Sequence, residues 1–267
     1  YHYRRSGDLA RAAQYAELAG DRAMTVSALD RACDHYLVAM NALDAMPVST
    51  ETRRKWLAIS AKWGLPFVFS PVQSESKLKV LHMAAHYADE LGDVDAKARS
   101  WHWLGWAHYS LGNYGESVQH YQATLELAQQ VGDSRLVVQA EAGLGQSLAA
   151  SGAYAAGLDY LNRAVARKRE QAQAQGQRRG RVAQGYGYAL AATALVHADR
   201  GDFALADEMF EEAIAPVAGS GHAIEGSMLA LKAIALVWRG RWEEARTVAQ
   251  RGWHNAQRVN SAFNFVN

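Results

Sequence analysis

The sequence predicts an all-α chain wound as a superhelix of about six helix pairs, and three observations carry that prediction. A pattern of apolar and glycine positions returns after 40 or 39 residues, its apolar residues fall at spacings of three and four, and glycines stand where one helix must turn into the next. Only 4 prolines occur in 267 residues, and no alternating strand pattern competes.

The repeat is clearest in "SWHWLGWAHYSLGNYGESVQHY", residues 100–121. A shift of 40 matches Leu104 to Leu144, Gly105 to Gly145, Gly112 to Gly152 and Tyr114 to Tyr154, and carries "ELGD" at 90–93 onto "QVGD" at 130–133. Further on, a shift of 39 matches Ala194 to Ala233, Gly201 to Gly240, Phe203 to Trp242 and Ala206 to Ala245.

In chain order, "HYRRSGDLARAAQYAELAGDRAM" and "ALDRACDHYLVAMNALDAMP" predict a turn, a second helix and a degenerate helix pair, with Ala32, Tyr36 and Ala39 as a small, aromatic, small set. Pro66 and Pro71 interrupt the unit at 50–92. The unit at 98–131 has the pattern in full, and 138–165, 187–214 and 226–252 follow it. Gly112, Gly152, Gly201 and Gly240 end the first helix of each unit, because glycine takes the left-handed conformation without a Cβ clash; the Gly-Asp pairs at 92–93 and 132–133 close the second. Gly105 and Gly145 fall inside helices, where glycine costs about 1 kcal/mol relative to alanine. Their smallness lets the partner helix approach, and Tyr121, Leu161 and Phe210 fill the complementary slots.

The set Trp101, Leu104, Gly105, Gly112, Tyr114, Ser117, Tyr121 and Thr124 resembles the tetratricopeptide repeat family. The period near 40 departs from the family's usual value of about 34, and Glu141 stands where Trp101 would repeat. The long period is similar to that of the C-terminal repeat region of bacterial signal-transduction ATPases and nucleotide cyclases. That resemblance implies one continuous solenoid, degenerate over 1–97 and regular over 98–267, with catalytic domains upstream in a longer protein from which this chain is a fragment.

Composition narrows the function. With 28 basic and 27 acidic residues the formal charge is +1, which gives no electrostatic reason to expect nucleic acid or an anionic membrane as partner. No apolar run approaches the roughly 20 residues of a membrane span. Cys33 is the 1 cysteine, so neither an internal disulfide nor a cysteine metal cluster can form, and a cytoplasmic setting is expected. No phosphate-binding Gly-Lys-Ser/Thr loop, Gly-x-Ser-x-Gly elbow or dinucleotide glycine motif occurs, so no enzyme activity and no cofactor are expected.

Three lesser features receive structural readings. His82 and His86, at i and i+4, read as amphipathic helix residues and not as zinc ligands, because no third ligand is placed. Arg167, Lys168, Arg169, Arg178, Arg179 and Arg181 read as a solvated helix extension with a loop near 174–180. Cys33 reads as a buried small residue.

What remains is the inner surface, which in the family is lined by the first helix of each pair. At about 100° per residue, Arg99, His102, Trp106, Tyr109 and Ser110 gather on that face, and carrying the register forward adds Gln139, Gln146, Tyr188, Leu195, Asp199, Ile234 and Trp238. Trp101, on the face of Leu104 and Gly105, is expected to pack on the partner helix, and Trp103 to touch the adjoining repeat. This aromatic, weakly polar groove points to a non-catalytic scaffold that binds a peptide segment or a neighbouring domain, possibly one of the same chain. The alternative is a small-molecule sensor controlling an upstream ATPase or cyclase domain. The aromatic stretch 258–267 suggests a homodimer contact at the C-terminal end.

Overall fold

The computed structural model describes residues 8–26, 28–69, 75–174, 181–219 and 223–259. Those residues form twelve α-helices and no strand: α1 (Leu9–Thr25), α2 (Leu29–Asp44), α3 (Thr50–Phe69), α4 (Glu75–Leu91), α5 (Val94–Ser110), α6 (Tyr114–Val131), α7 (Ser134–Ala150), α8 (Tyr154–Ala174), α9 (Arg181–Asp199), α10 (Phe203–Ile214), α11 (Ala223–Trp238) and α12 (Trp242–Val259). They pack as six consecutive pairs, each pair against the next.

The turns follow from glycine chemistry. Gly92, Gly112, Gly132, Gly152, Gly201 and Gly240 all have positive φ, between 65° and 90°. At Gly132 the left-handed backbone lets the N–H groups of Gly132 and Asp133 donate to Gln129 and Ala128, which closes α6. Asp133 then opens α7, its carboxylate accepting from the N–H groups of Arg135 and Leu136. One Gly-Asp dipeptide therefore ends one helix and begins another. Asp133→Ala is expected to cost about 1 kcal/mol, read as a lower urea midpoint with an unchanged m-value.

Small residues opposite large ones set the spacing between helices. A Cβ on Gly105 would lie 3.0 Å from the Tyr121 ring, and one on Gly145 would lie 2.7 Å from Leu161 Cγ. The same device operates near the N-terminus, where Gly20 meets the ring of Tyr36 at 2.5 Å. Ser117 Oγ donates to the carbonyl of Gly105 at 2.7 Å and lies 2.8 Å from Ser147 Oγ, which ties α5, α6 and α7 together through small side chains.

The unit at 50–92 departs from expectation. Pro66 does not interrupt α3 but sits within it, and Pro71 lies outside the described residues. A proline there removes one backbone hydrogen bond, and the loss is offset by burial: Trp56, Trp63 and Phe67 are all at most 2% exposed, with Trp63 stacked on Phe67 at 4.6 Å. Cys33 is buried in the same core, as expected.

Each first helix from α3 to α11 touches the first helix of the next pair, whereas second helices are kept apart by the first helices between them. The first helices therefore form the inner layer, and the second helices the outer one.

Candidate peptide groove

The inner layer divides the predicted groove residues among four places. The first lies between the N-terminal halves of α3 and α5, where the two helices part to leave a cleft of about 320 Å³. Leu57, Ala58, Ala61, Leu81, Ala84, Ala96 and Trp103 make its apolar walls, and Arg54, Asp93, Asp95 and Arg99 its charged ones. Trp103 lies over Gly64, whose missing side chain leaves room for the indole. Arg99 is paired with Asp95 and lies 3.6 Å from Asp133, while Arg54 is exposed and has no ion pair among the described residues.

Next to the cleft, on the face of α5 turned toward later pairs, is an aromatic cluster. Tyr121 reaches in from the outer helix α6 through the gap between Gly105 and Gly143, and a Cβ on Gly143 would stand only 2.2 Å from its ring. The His102 ring lies 5.6 Å from that of Tyr121 and 4.9 Å from that of Trp103. Tyr109 and Tyr188 are close enough to Tyr121 for each to raise its pKa, on top of a larger effect of burial. Burial, with a smaller repulsion from Lys168, pushes the His102 pKa down to about 4, so the ring is neutral at physiological pH; its Nδ1 is buried without a hydrogen-bond partner.

The other predicted residues take different surroundings. Trp106, expected to line the groove, turns instead into the seam with the preceding pair, its ring edge-on to the fully buried Phe67 at 5.3 Å. One Trp per turn cannot serve both the groove and the seam, and the apolar wall offered by α3 wins. Gln139 and Gln146 are half-buried on α7, and Leu195 joins the C-terminal core. Ser110 donates to the Trp106 carbonyl. Asp199 accepts from Tyr154 at 2.5 Å, and Ile234 and Trp238 are exposed on α11. Trp101 packs toward the partner helix as expected, edge-on to His120, but is only half-buried, and Lys97 sits over its ring at 4.9 Å. Trp103 touches the adjoining repeat, as its position on the helix predicts.

Sequence reasoning missed Tyr121 as a groove residue, since it belongs to a second helix. The signal was Gly143, two residues before Gly145 and unexplained by the repeat.

The lesser features are placed as follows. His82 is exposed and His86 lies 3.6 Å from Glu90. His108 and His120 stack at 5.2 Å, and among the described residues no group of three or more His, Cys, Asp or Glu is arranged to hold a metal ion. Of the basic cluster, Arg167 lies 3.4 Å from the buried Glu141, and Arg169 binds Tyr186 and Glu212. These arginines bind the protein's own groups. Arg178 and Arg179 lie outside the described residues. No helix among the described residues is long and apolar enough to cross a membrane.

Comparison with known proteins agrees with this geometry. Residues 97–170 match the tetratricopeptide repeat family. No curated protein matches the sequence. Among solved structures, the apo form of RapI superposes with a TM-score of 0.69 at 12% identity, over 94% of this chain and 85% of that one. A Rap protein complexed with competence and sporulation factor gives 0.65 at 14% identity, over 93% and 76%. BtubC from P. vanneervenii gives 0.51 at 16%, over 94% and 92%. At these identities the likeness is one of fold: a tetratricopeptide-like α-α superhelix.

Proposed function

We propose that the chain is a non-catalytic scaffold that binds a peptide segment or a neighbouring domain in its inner groove, as the regulatory part of a larger signalling protein. The observation that supports it most is the side-by-side placement of an apolar cleft with an exposed Arg54 and an aromatic cluster on the same inner layer. Extended inner surfaces of solenoids suit chains, which can lay one side chain in a cleft while their backbone runs across the neighbouring helices. Gln139, Gln146, Asp199 and Trp238 would extend the contact toward the C-terminal end. A solved structure of the same fold holds a bound factor, which supports the reading by analogy. A small-molecule sensor fits less well, because the cleft of about 320 Å³ lies at the lower end of the ligand-pocket range of roughly 300–1,000 Å³.

The test is selection of random linear peptides on the purified chain. Enriched peptides are expected to lose affinity for Arg54→Glu, at the cleft, and to keep it for Arg163→Glu, on the outer helix α8. Failure to enrich any peptide, or equal loss in both variants, would remove the groove from consideration.

A further inference from the structure

Resting on the groove reading above, we infer that the aromatic cluster is a subsite for an uncharged, extended stretch of peptide, whose amide carbonyl oxygens accept hydrogen bonds from the hydroxyls of Tyr109, Tyr121 and Tyr188.

Three helices from three successive pairs bring these phenols together: α5 carries Tyr109, α6 carries Tyr121, and α9 carries Tyr188. The missing side chains of Gly105 and Gly143 are what let Tyr121 pass from the outer layer to the inner one. None of the three hydroxyls has a hydrogen-bond partner within the protein, and none is sealed from solvent, whereas Tyr36, Tyr154 and Tyr186 all bond to carboxylates. A phenol placed in a packed aromatic site ordinarily finds a partner, so three open hydroxyls facing one another mark a place where the partner comes from outside.

The surroundings choose the class of ligand. No Asp, Glu, Lys or Arg acts on Tyr109, Tyr121 or Tyr188; the charges they feel come only from other tyrosines. His102 is neutral, and Lys168 acts on it alone. A charged ligand group would give up its hydration here without a counter-charge, whereas a main-chain or side-chain amide would exchange water for a phenol donor and stack against the rings. Because burial raises all three phenol pKa values, the hydroxyls stay protonated and remain donors well into alkaline pH.

The same random peptide library tests this with Tyr109→Phe/Tyr188→Phe in parallel with the wild type. The rings remain, so packing is kept, and a thermal melt confirms it. Individual peptides enriched on the wild type should bind the double variant about tenfold more weakly, the effect of one to two neutral hydrogen bonds. Their alanine scans should show an uncharged residue, such as Asn or Gln, at the position the variant no longer distinguishes. Unchanged affinity for the double variant overturns the hydroxyl subsite but leaves the groove standing, as does a strict need for a charged residue at that position. If nothing is enriched, the groove reading itself has failed, and the subsite with it.

Discussion

Gly145→Ala is expected to lose at least about 2–3 kcal/mol of stability, although alanine in place of glycine inside a helix normally gains about 1 kcal/mol. The reason is what the added methyl group meets. A Cβ on Gly145 would lie 2.8 Å from the carbonyl oxygen of Gly157 and 3.0 Å from the backbone nitrogen of Leu161. Gly157 is the reciprocal partner, since its own Cβ would lie 2.8 Å from the carbonyl oxygen of Gly145. Backbone cannot rotate aside as a side chain can, so α7 and α8 must separate and the contacts along the whole pair loosen. Gly105→Ala is the control. It occupies the equivalent position one repeat earlier, but its nearest contact is the Tyr121 ring at 3.0 Å, which can shift by a few tenths of an ångström. That variant is expected to stay within about 1 kcal/mol of wild type, because the gain in helix propensity offsets the squeeze. Urea unfolding of the two variants decides the matter, and equal stability would mean that the α7–α8 crossing is not as close as described.

That contrast also shows what the sequence could and could not say. Gly105 and Gly145 read alike, because a repeat pattern reports that a position must be small and not what presses on it. The positive-φ turn glycines were fully legible, since one residue type answers one backbone demand. So were Tyr121, Leu161 and Phe210 as large partners, all of which are buried. The groove was less legible. Helical period places a side chain on a face, but Trp106 and Tyr109 differ by less than a turn, and only the position of Phe67 on α3 decides that Trp106 is drawn into the seam. Pro66 misled for a related reason: its local preference against helix interiors is real, and the burial of Trp63 and Phe67 around it outweighs it. Tyr121 was missed because the inner surface was assigned to first helices alone, and a long side chain opposite two glycines crosses that boundary.

Acidification is expected to weaken the fold between pH 6.5 and about 4, before most carboxylates titrate, and His102 and His120 are the cause. Burial is the main effect lowering both, to about 4 in each case; Lys168 adds to it for His102, and His108 and His82 for His120, while Glu116 opposes it for His120. Above pH 6.5 both residues are neutral in the folded and unfolded chain, so neither changes stability. Below it, the unfolded chain takes up protons that the folded chain refuses, and stability falls with each step in pH; under about pH 4 both states are protonated and the loss levels off. At about 1.4 kcal/mol per pH unit, His102 contributes on the order of 3 kcal/mol across the window, and His120, half-buried beside solvent, contributes less. His102→Gln removes the titrating ring and should flatten the upper part of the curve of urea midpoint against pH, with the remaining slope assigned to His120 and removed in turn by His120→Gln. If the His102→Gln curve runs parallel to wild type through the whole window, His102 is solvated in the folded chain, and the enclosed character of the aromatic cluster on α5 falls with it.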